Sequence, residues 1–281
     1  MKIVEQFSYE NIQGFKFGYQ AFGRPKMFSL IYFVDGLLID SGHRKVQKDV
    51  LAQLGNLDVQ QMFITHHHED HTGNVDVLQK HFNCSAYASS LCAEMMKTPP
   101  GLSPIQKMVW GKRPAMPGLL AEDQQICTEN YVFDIIPIPG HAPDMVALHE
   151  ARQGWLFSSD LYVHSYIGYF IETESIIQQI NSIQRILKLQ FGPMFCGHNP
   201  QFENGREKLG QKLSFLREFY EQVTNLYAQG KSAREIFHHL KLKEKGSIKW
   251  LSGGYLSKMN MVKSAIRDWE AEKQSRAGDV A

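Results

Sequence analysis

The chain has 281 residues, with 30 Lys and Arg against 29 Asp and Glu, which gives a formal net charge of +1. Hydrophobic residues make up 43% and charged residues 21%, so the composition excludes an intrinsically disordered chain. A net charge near zero provides no field that would attract nucleic acid or an anionic membrane in bulk. The length fits one large domain, or one domain with a smaller extension.

The first two hundred residues alternate between strand-like and helix-like segments. Apolar runs bounded by turns predict strands at Met27–Val34, Gln61–Thr65, Ser85–Ala88, Tyr131–Ile138, Met145–His149, Trp155–Phe157 and Met194–Cys196. Apolar residues at helical spacing predict helices at Val46–Leu54, Val75–Phe82 and Thr173–Leu187. This order predicts a mixed α/β (α+β) sandwich of sheets with outer helices.

The last third of the chain has a helical pattern. Arg206–Gln229 is amphipathic, a capping-box signature opens Ala233–Leu240, and a final helix is expected near Ser257–Glu272. We therefore predict a catalytic domain over residues 1–203. A helical C-terminal extension over residues 204–281 is expected to pack on it.

The sequence carries no segment typical of export or membrane insertion. Its first twenty residues lack the apolar stretch of a secretory signal, and no run approaches the roughly 20 apolar residues of a membrane helix. The four cysteines form no Cys-x-x-Cys pair, which favours free buried thiols in a reducing compartment over disulfides. These features predict a cytoplasmic protein without a membrane partner.

One short stretch concentrates side chains that bind metals. Residues 66–71 read His-His-His-Glu-Asp-His and directly follow the predicted strand Gln61–Thr65. In an extended segment residues two apart share a face, so His66 and His68 project together. Asp70 and His71 follow where the chain turns into a helix. Because imidazole and carboxylate are ligands of zinc and similar cations, the stretch predicts a metal site rather than a solvated polar loop.

Three further candidate ligands stand at the ends of predicted strands. His141 lies in a Pro-Gly-His-Ala-Pro-Asp segment, Asp160 follows Ser158-Ser159, and His198 lies in a Cys-Gly-His-Asn segment. Loops at the carboxyl ends of strands in a layered sheet converge on one site. We therefore expect these three side chains to meet residues 66–71.

The pattern His-x-His-x-Asp-His, followed by a Gly-His, an Asp and a final Gly-His, resembles the metallo-β-lactamase superfamily over about residues 15–200. The resemblance implies a four-layer αβ/βα sandwich with a site for two divalent cations at one edge. Zinc is the expected metal, and iron and manganese accept the same ligands. The implied ligands are His66, His68 and His141 for one metal, Asp70, His71 and His198 for the other, and Asp160 as a bridge between both.

The resemblance also assigns roles to two carboxylates. Asp40 resembles the family's inner acidic residue and is expected to orient a ligand imidazole by a hydrogen bond rather than to bind metal. The alternative for Asp40 is a carboxylate of a strand-end turn. Two cations about 3.5–4 Å apart can share one water and lower its pKa to near neutrality, which yields a bridging hydroxide. Asp70 is the candidate catalytic residue because it can orient that nucleophile while it binds metal.

The full ligand set restricts the class of reaction that the resemblance implies. With a bridging aspartate it resembles glyoxalase II (hydroxyacylglutathione hydrolase), lactonases, phosphodiesterases and RNA-processing nucleases, whereas β-lactamases of the superfamily generally lack that aspartate. Thr72-Gly73-Asn74 resembles the glyoxalase II version of the motif. We therefore predict hydrolysis of a small thioester, ester or lactone, with a small-molecule phosphodiesterase as the alternative. A mononuclear iron persulfide dioxygenase-like enzyme and a non-catalytic signalling protein of the same fold are further alternatives.

Three other segments bear on substrate and partners. Met95–Leu120 is apolar and broken by Pro and Gly, so it is interpreted either as a lid over a small-molecule substrate or as a surface or homodimer contact. Tyr255, at the end of the linker 250–255, is a candidate substrate contact. Lysines 241, 243, 245 and 249 are interpreted as a solvated basic loop, so no nucleic-acid partner is expected.

Overall fold

A computed structural model describes residues 2–20, 28–244 and 254–278. The chain divides into two compact units. Unit 1 consists of Met1–Ile138, Ala142–Val163 and Gln190–Arg206, and unit 2 consists of Pro139–His141, His164–Leu189 and Glu207–Ala281. This division differs from the predicted domains because residues 164–189 group with the C-terminal helices. The boundary near residue 206 lies close to the predicted one at residue 203.

The first sheet of unit 1 has seven strands in chain order. The strands are β1 (Lys2–Tyr9), β2 (Ile12–Tyr19), β3 (Phe28–Val34), β4 (Leu37–Ile39), β5 (Gln61–Ile64), β6 (Ser85–Ala88) and β7 (Leu120–Ala121). Strands β1 to β4 pair antiparallel, whereas β4 to β7 pair parallel. The parallel strands β4, β5 and β6 therefore end at the same edge of the sheet.

The second sheet of unit 1 has five strands, in the order β13-β11-β10-β9-β8. They are β8 (Gln125–Cys127), β9 (Val132–Pro137), β10 (Val146–Glu150), β11 (Trp155–Ser159) and β13 (Met194–Cys196). Strands β11 and β13 are parallel neighbours. Their carboxyl ends, which precede Asp160 and His198, consequently lie side by side.

An apolar core joins the two sheets. It contains Leu30 and Tyr32 of the first sheet together with Phe133, Phe157 and Phe195 of the second, all at most 3% exposed. The rings of Phe157 and Phe195 stack with their centroids 4.8 Å apart. Burial of each such side chain contributes roughly 1.5–3 kcal/mol, so this core holds the sheets, and thus the strand ends, in a fixed relation.

Helices cover the other face of the first sheet. Unit 1 has a 3₁₀ turn (Arg44–Val46) and the helices α1 (Gln47–Leu54), α2 (Glu69–Thr72), α3 (Val75–Phe82), α4 (Ser90–Lys97) and α5 (Pro104–Val109). Apolar residues of α1, α3 and α4, among them Leu54, Leu78 and Met96, form a second core with Met62 and Ile64 of β5. Strand β5 is therefore buried on both faces, as expected of a parallel central strand.

Unit 2 is mainly helical in its described part. It contains α6 (Ile176–Ile186), α8 (Ala233–His239), α9 (Lys258–Gly278), most of α7 (Gly205–Ala228) and a short antiparallel pair of β12 (Phe170–Ile171) with β14 (Leu256–Ser257). Ser232 and Glu235 form the predicted capping box at the start of α8. No helix in the described ranges is both long enough and apolar enough to span a membrane.

The mixed α+β class and the helical C-terminal region are confirmed. Helix α3 and strands β6 and β13 have the predicted bounds. The β1–β2 hairpin was not among the predicted elements, and α9 runs to Gly278 instead of ending near Glu272. Two parts of the sequence interpretation, Lys245 with Lys249 and the linker segment 250–253, lie outside the described residues.

Candidate metal centre

Four of the predicted ligands stand on one short turn after β5. His66 and His68 follow the strand, and His68 is the N-cap of α2, with φ −64° and ψ 152°. Asp70 and His71 lie inside that single-turn helix. The backbone thus changes from extended at His68 to helical at Glu69, and the donors fall into two neighbouring groups, one with His66 and His68 and one with Asp70 and His71. One contiguous hexapeptide thus supplies donors to two neighbouring points.

A cluster of four donors forms where this turn meets the second sheet. The ligand atoms of Asp70, His71, Asp160 and His198 all lie within 4.8 Å of one another. One carboxylate oxygen of Asp160 is 3.4 Å from His71 Nε2, and the other is 3.0 Å from His198 Nε2. Asp70 Oδ2 is 3.5 Å from His198 Nε2. Two imidazoles and two carboxylates therefore point at one space.

Asp40 fixes the ring of His71. Its Oδ2 accepts a 2.7 Å hydrogen bond from His71 Nδ1, and its Oδ1 accepts one of 2.9 Å from the backbone N–H of Thr65. Asp40 has φ +63°, a left-handed conformation that Asp tolerates better than most residues. Because Nδ1 is used in this bond, only Nε2 of His71 is directed at the cluster.

The loop after β13 fixes His198 in a similar way. His198 Nδ1 donates to the carbonyl of Phe28, and the backbone N–H of Leu30 donates to the carbonyl of Gly197 at 3.0 Å. The Tyr32 hydroxyl donates to the carbonyl of Cys196 at 2.7 Å. These bonds attach the loop to β3 of the first sheet. His198 Nε2 is thereby directed at the cluster.

His66 and His68 lie side by side, with ring centroids 4.6 Å apart. His66 Nδ1 is 3.1 Å from Ser159 Oγ and 3.2 Å from Thr65 Oγ1, so its Nε2 is the nitrogen left for a ligand role. The ring centroid of His66 is 4.1 Å from that of His71. The pair of histidines therefore adjoins the four-donor cluster.

The two remaining candidates belong to unit 2. His141 Nδ1 lies 3.5 Å from Glu174 Oε1, and the Tyr255 carbonyl accepts a 3.0 Å bond from Asn260 Nδ2. A cavity of about 350 Å³ in this unit is lined by residues that include Tyr166, Phe215 and Lys243, but Tyr255 is not one of them. A metal-binding role for His141 and a substrate contact by Tyr255 stay predictions.

The charges of the four-donor cluster suit a divalent cation, because its two carboxylates attract positive charge. Burial lowers the pKa of His198, but Asp160 and Asp70 outweigh this effect and raise it to about 9. Burial also opposes protonation of His71, yet Asp40, Asp160 and Asp70 raise its pKa well above the usual value. A cation would compete with protons for these same ring nitrogens, because the carboxylates attract either one.

The backbone also leaves room at the cluster. A Cβ atom on Gly197 would collide with Asp160 Oδ1 and lie 2.8 Å from His71 Cε1. Only glycine keeps the space between these two side chains open. The donor types and the space at Gly197 together fit a bound divalent cation.

Several supporting residues were not predicted. Ser41 Oγ donates to the carbonyl of His71 at 2.7 Å, and Asn74 Nδ2 donates to the carbonyl of Ser41 at 2.8 Å. Thr65 and Ser159 bind each other and His66. Their sequence signal is adjacency, since each lies within three residues of a predicted ligand or of Asp40. For Asn74 the sequence offers only the likeness of Thr72-Gly73-Asn74 to a family motif.

His43 gives the protein a predictable pH dependence. It is fully buried, and this burial lowers its pKa from 6.5 to about 4. Between these two pH values the unfolded chain binds a proton that the folded chain excludes, so the free energy of unfolding falls as the pH falls. We expect a loss of about 2 kcal/mol from this residue between pH 7 and pH 5.

Urea unfolding of wild type and His43→Phe at both pH values measures this contribution. Phenylalanine can retain the edge contact with Trp110, whose ring centroid is 5.0 Å from that of His43. The loss of stability should be smaller in the variant by about 2 kcal/mol. Equal losses in both proteins would show that His43 titrates normally in the folded chain.

The protein has a two-sheet fold with a candidate metal centre at its strand ends, and comparison with known proteins identifies its family. The metallo-beta-lactamase superfamily model matches residues 25–198, more than half of the chain. The chain therefore belongs to the metallo-β-lactamase superfamily, which confirms the family indicated by the His-x-His-x-Asp-His pattern.

Two relatives are named hydroxyacylglutathione hydrolase. The protein from Bdellovibrio bacteriovorus is 29% identical over 143 residues, which cover 50% of this chain and 50% of that protein. The protein from Aeromonas salmonicida is 28% identical over 175 residues, which cover 60% and 59%. The chain thus matches half to three fifths of the length of these relatives.

Solved structures share the fold. A metallo-beta-lactamase family protein from Thermus thermophilus has a TM-score of 0.67 at 16% identity, covering 94% of this chain and 95% of that one. A metallo-beta-lactamase from Pontibacter korlensis has a TM-score of 0.61 at 19% identity, covering 76% and 99%. At these identities the likeness shows the fold alone.

Proposed function

We propose that the protein is a hydrolase that holds two divalent cations and cleaves a small thioester, ester or lactone. The observation that carries the proposal is the convergence of Asp70, His71, Asp160 and His198 within 4.8 Å. Four donors from three separate loops meet there, and each imidazole is fixed through its other nitrogen. Such outer hydrogen bonds are typical of metal-ligating histidines.

The ligands divide into two sets. Asp70, His71 and His198 hold one cation, and His66 and His68 hold the other, with His141 as its third ligand on the strength of the family resemblance. Asp160 serves both on the strength of the family resemblance. Its two oxygens lie 3.4 Å from His71 Nε2 and 3.0 Å from His198 Nε2, so it adjoins both rings of the first set. Zinc is the expected metal, while iron and manganese accept the same donors.

The cations would polarise the attacked substrate oxygen and lower the pKa of water, so that a hydroxide is available at neutral pH. Asp70 accepts a hydrogen bond from the attacking water and thereby orients it. His198, whose side chain is 17% exposed, marks the side from which substrate reaches the cluster. No protein nucleophile is needed. The thiol of Cys196 is fully buried and accepts a bond from the backbone N–H of Asn199.

A thioester or related acyl substrate is proposed because of the relatives. The two proteins named hydroxyacylglutathione hydrolase match 50% and 60% of this chain. The Thr72-Gly73-Asn74 segment supports the same choice, since it resembles the glyoxalase II version of the motif. Thr72 Oγ1 donates to the carbonyl of His68 at 2.8 Å, and a Cβ on Gly73 would lie 2.6 Å from the carbonyl oxygen of Gly42.

Metal analysis combined with a substrate panel tests the proposal. The wild-type chain should contain about two zinc ions and hydrolyse thioesters or lactones in preference to phosphodiesters. His68→Ala should lose one metal equivalent and at least about 100-fold in turnover, because one imidazole donor is removed. His238→Ala, which removes an exposed imidazole on α8, should behave as wild type.

Other outcomes point to the alternatives. One iron per chain with oxygen uptake on a persulfide would replace the proposal by a dioxygenase. Turnover restricted to phosphodiesters would replace the acyl substrate. A chain that binds no metal and turns over no member of the panel would favour a signalling role.

A further inference from the structure

A buried carboxylate holds the turn that carries His66 and His68. His67 stands between them, and its ring centroid lies 4.8 Å from that of His68. Asp144 Oδ1 accepts a 2.7 Å bond from His67 Nδ1, and Asp144 Oδ2 accepts one of 2.8 Å from the His67 backbone N–H. The side chain of Asp144 is fully buried and that of His67 is 9% exposed. One carboxylate therefore fixes both the ring and the main chain of His67.

The position of Asp144 is fixed in turn. Ser89 Oγ, at the start of α4, donates to the Asp144 carbonyl at 3.0 Å. Strand β10 begins two residues later, and its first residue, Val146, donates its N–H to the carbonyl of Thr65 at 3.0 Å. Asp144 is consequently held on both sides when it binds His67.

Arg113 forms a second attachment at the same turn. Its Nη1 donates to the carbonyl of His67 at 2.7 Å and lies 4.0 Å from Glu69 Oε2. The side chains of Arg113 and Glu69 are only 3% and 5% exposed. Arg113 belongs to the Met95–Leu120 segment and also donates to the carbonyl of Pro100. This segment is therefore tied directly to the ligand-bearing turn.

We infer that Asp144 and Arg113 are positioning residues that set the metal affinity of the turn at residues 66–71. The inference rests on the proposed function. The bonds to the N–H, the ring and the carbonyl of His67 hold the main chain between His66 and His68, and thereby hold the two neighbouring side chains. A ligand set held in place loses less conformational freedom on binding a cation, which strengthens binding.

The chemistry of Asp144 and Arg113 favours a positioning role over a contribution to stability alone. Buried charged groups contribute little net stability, because the cost of removing them from water offsets their attraction to their partners. Here the charged groups bond to the N–H, the ring and the carbonyl of a single residue that has predicted ligands on both sides. The bonds converge on the main-chain position between His66 and His68, where a backbone rotation would displace these two residues relative to each other.

Zinc affinity, measured by competition with a chromophoric chelator, tests the inference without relying on turnover. Asp144→Ala and Arg113→Met should each weaken zinc binding by about 10–100-fold. Asp144→Asn keeps the shape and one acceptor oxygen, so its affinity should lie between those of wild type and Asp144→Ala. Cobalt substitution gives a second readout, since a displaced ligand set changes the visible absorption of the bound ion.

A matched control separates positioning from stability. Glu150 is a buried carboxylate at the far end of β10 that accepts a 2.7 Å bond from the Gln153 N–H. Glu150→Gln should lower the melting temperature and leave zinc affinity unchanged. If Asp144→Ala does not fold, His67→Asn, which keeps the backbone N–H bond to Asp144, takes its place and should weaken zinc binding about tenfold.

The outcomes distinguish the two proposals. Wild-type protein that binds two zinc ions, with Asp144 and Arg113 variants within twofold of its affinity, overturns the inference and leaves the proposed function standing. Wild-type protein that binds no zinc, iron or manganese overturns the proposed function, and the inference with it. Weakened zinc binding in both variants and normal binding in Glu150→Gln support the inference.

Discussion

Asp160→Asn is expected to reduce turnover by about three orders of magnitude while the chain stays folded. The carboxylate oxygens of Asp160 face two different rings, His71 Nε2 at 3.4 Å and His198 Nε2 at 3.0 Å. An amide has one acceptor oxygen and no charge, so it would bind the cation held by these two rings more weakly and would not bridge to a second one. The expected factor corresponds to about 4 kcal/mol of lost transition-state stabilisation.

Steady-state kinetics and metal content measure this effect. Circular dichroism should show an unchanged fold, because the apolar core between the sheets does not depend on Asp160. Asp76→Asn is the control, since it removes a carboxylate that pairs with Arg44 and is 40% exposed. That variant should keep wild-type turnover within about twofold, because Asp76 is not a candidate ligand. Its fold should also persist, since surface ion pairs contribute little to stability. A fully active, fully metallated Asp160→Asn would rule out the shared carboxylate.

Gly197→Ala is expected to abolish binding at the four-donor cluster although it adds one methyl group. The new Cβ would overlap Asp160 Oδ1 and press against the His71 ring, which is buried and held by Asp40. Neither neighbour is a flexible chain end, so the methyl group forces the donors apart. Overpacking of this kind also lowers the free energy of unfolding by about 1–3 kcal/mol.

Gly192→Ala provides the matched control for Gly197→Ala. Gly192 precedes the same strand, β13, and a Cβ there would meet nothing within 4 Å. Zinc titration should give one strongly bound ion fewer for Gly197→Ala and an unchanged stoichiometry for Gly192→Ala. Retention of both ions with wild-type affinity in Gly197→Ala would show that the cluster around Asp160 is not a metal site.

The sequence was most informative where a contact is local. His66, His68, Asp70 and His71 lie within one hexapeptide, so their proximity follows from chain geometry. Helix α3 was predicted with its observed bounds because its apolar residues repeat at helical spacing between clear breaks. Positions at the ends of predicted strands indicated His141, Asp160 and His198, and the family resemblance divided the ligands between two metals. Asp160 and His198 do reach the Asp70–His71 pair.

Two kinds of feature escaped prediction. Strand β1 is largely exposed and its hairpin turns at Glu10, with φ +49°, instead of at an Asn-Gly pair, so neither apolar alternation nor turn chemistry revealed it. Asp144 and Arg113 reach His67 across 77 and 46 residues of chain. Such pairings depend on how the sheets and the Met95–Leu120 segment pack, which no local pattern encodes.

The origin of the four donors has a consequence for the lifetime of the protein. Asp70 and His71 come from the edge of the first sheet, whereas Asp160 and His198 come from the second. A cation shared among them would cross-link the two layers, and an unfolded chain offers no such assembled set of donors. Scarcity of the ion would then shorten the lifetime of the folded chain as well as abolish its activity.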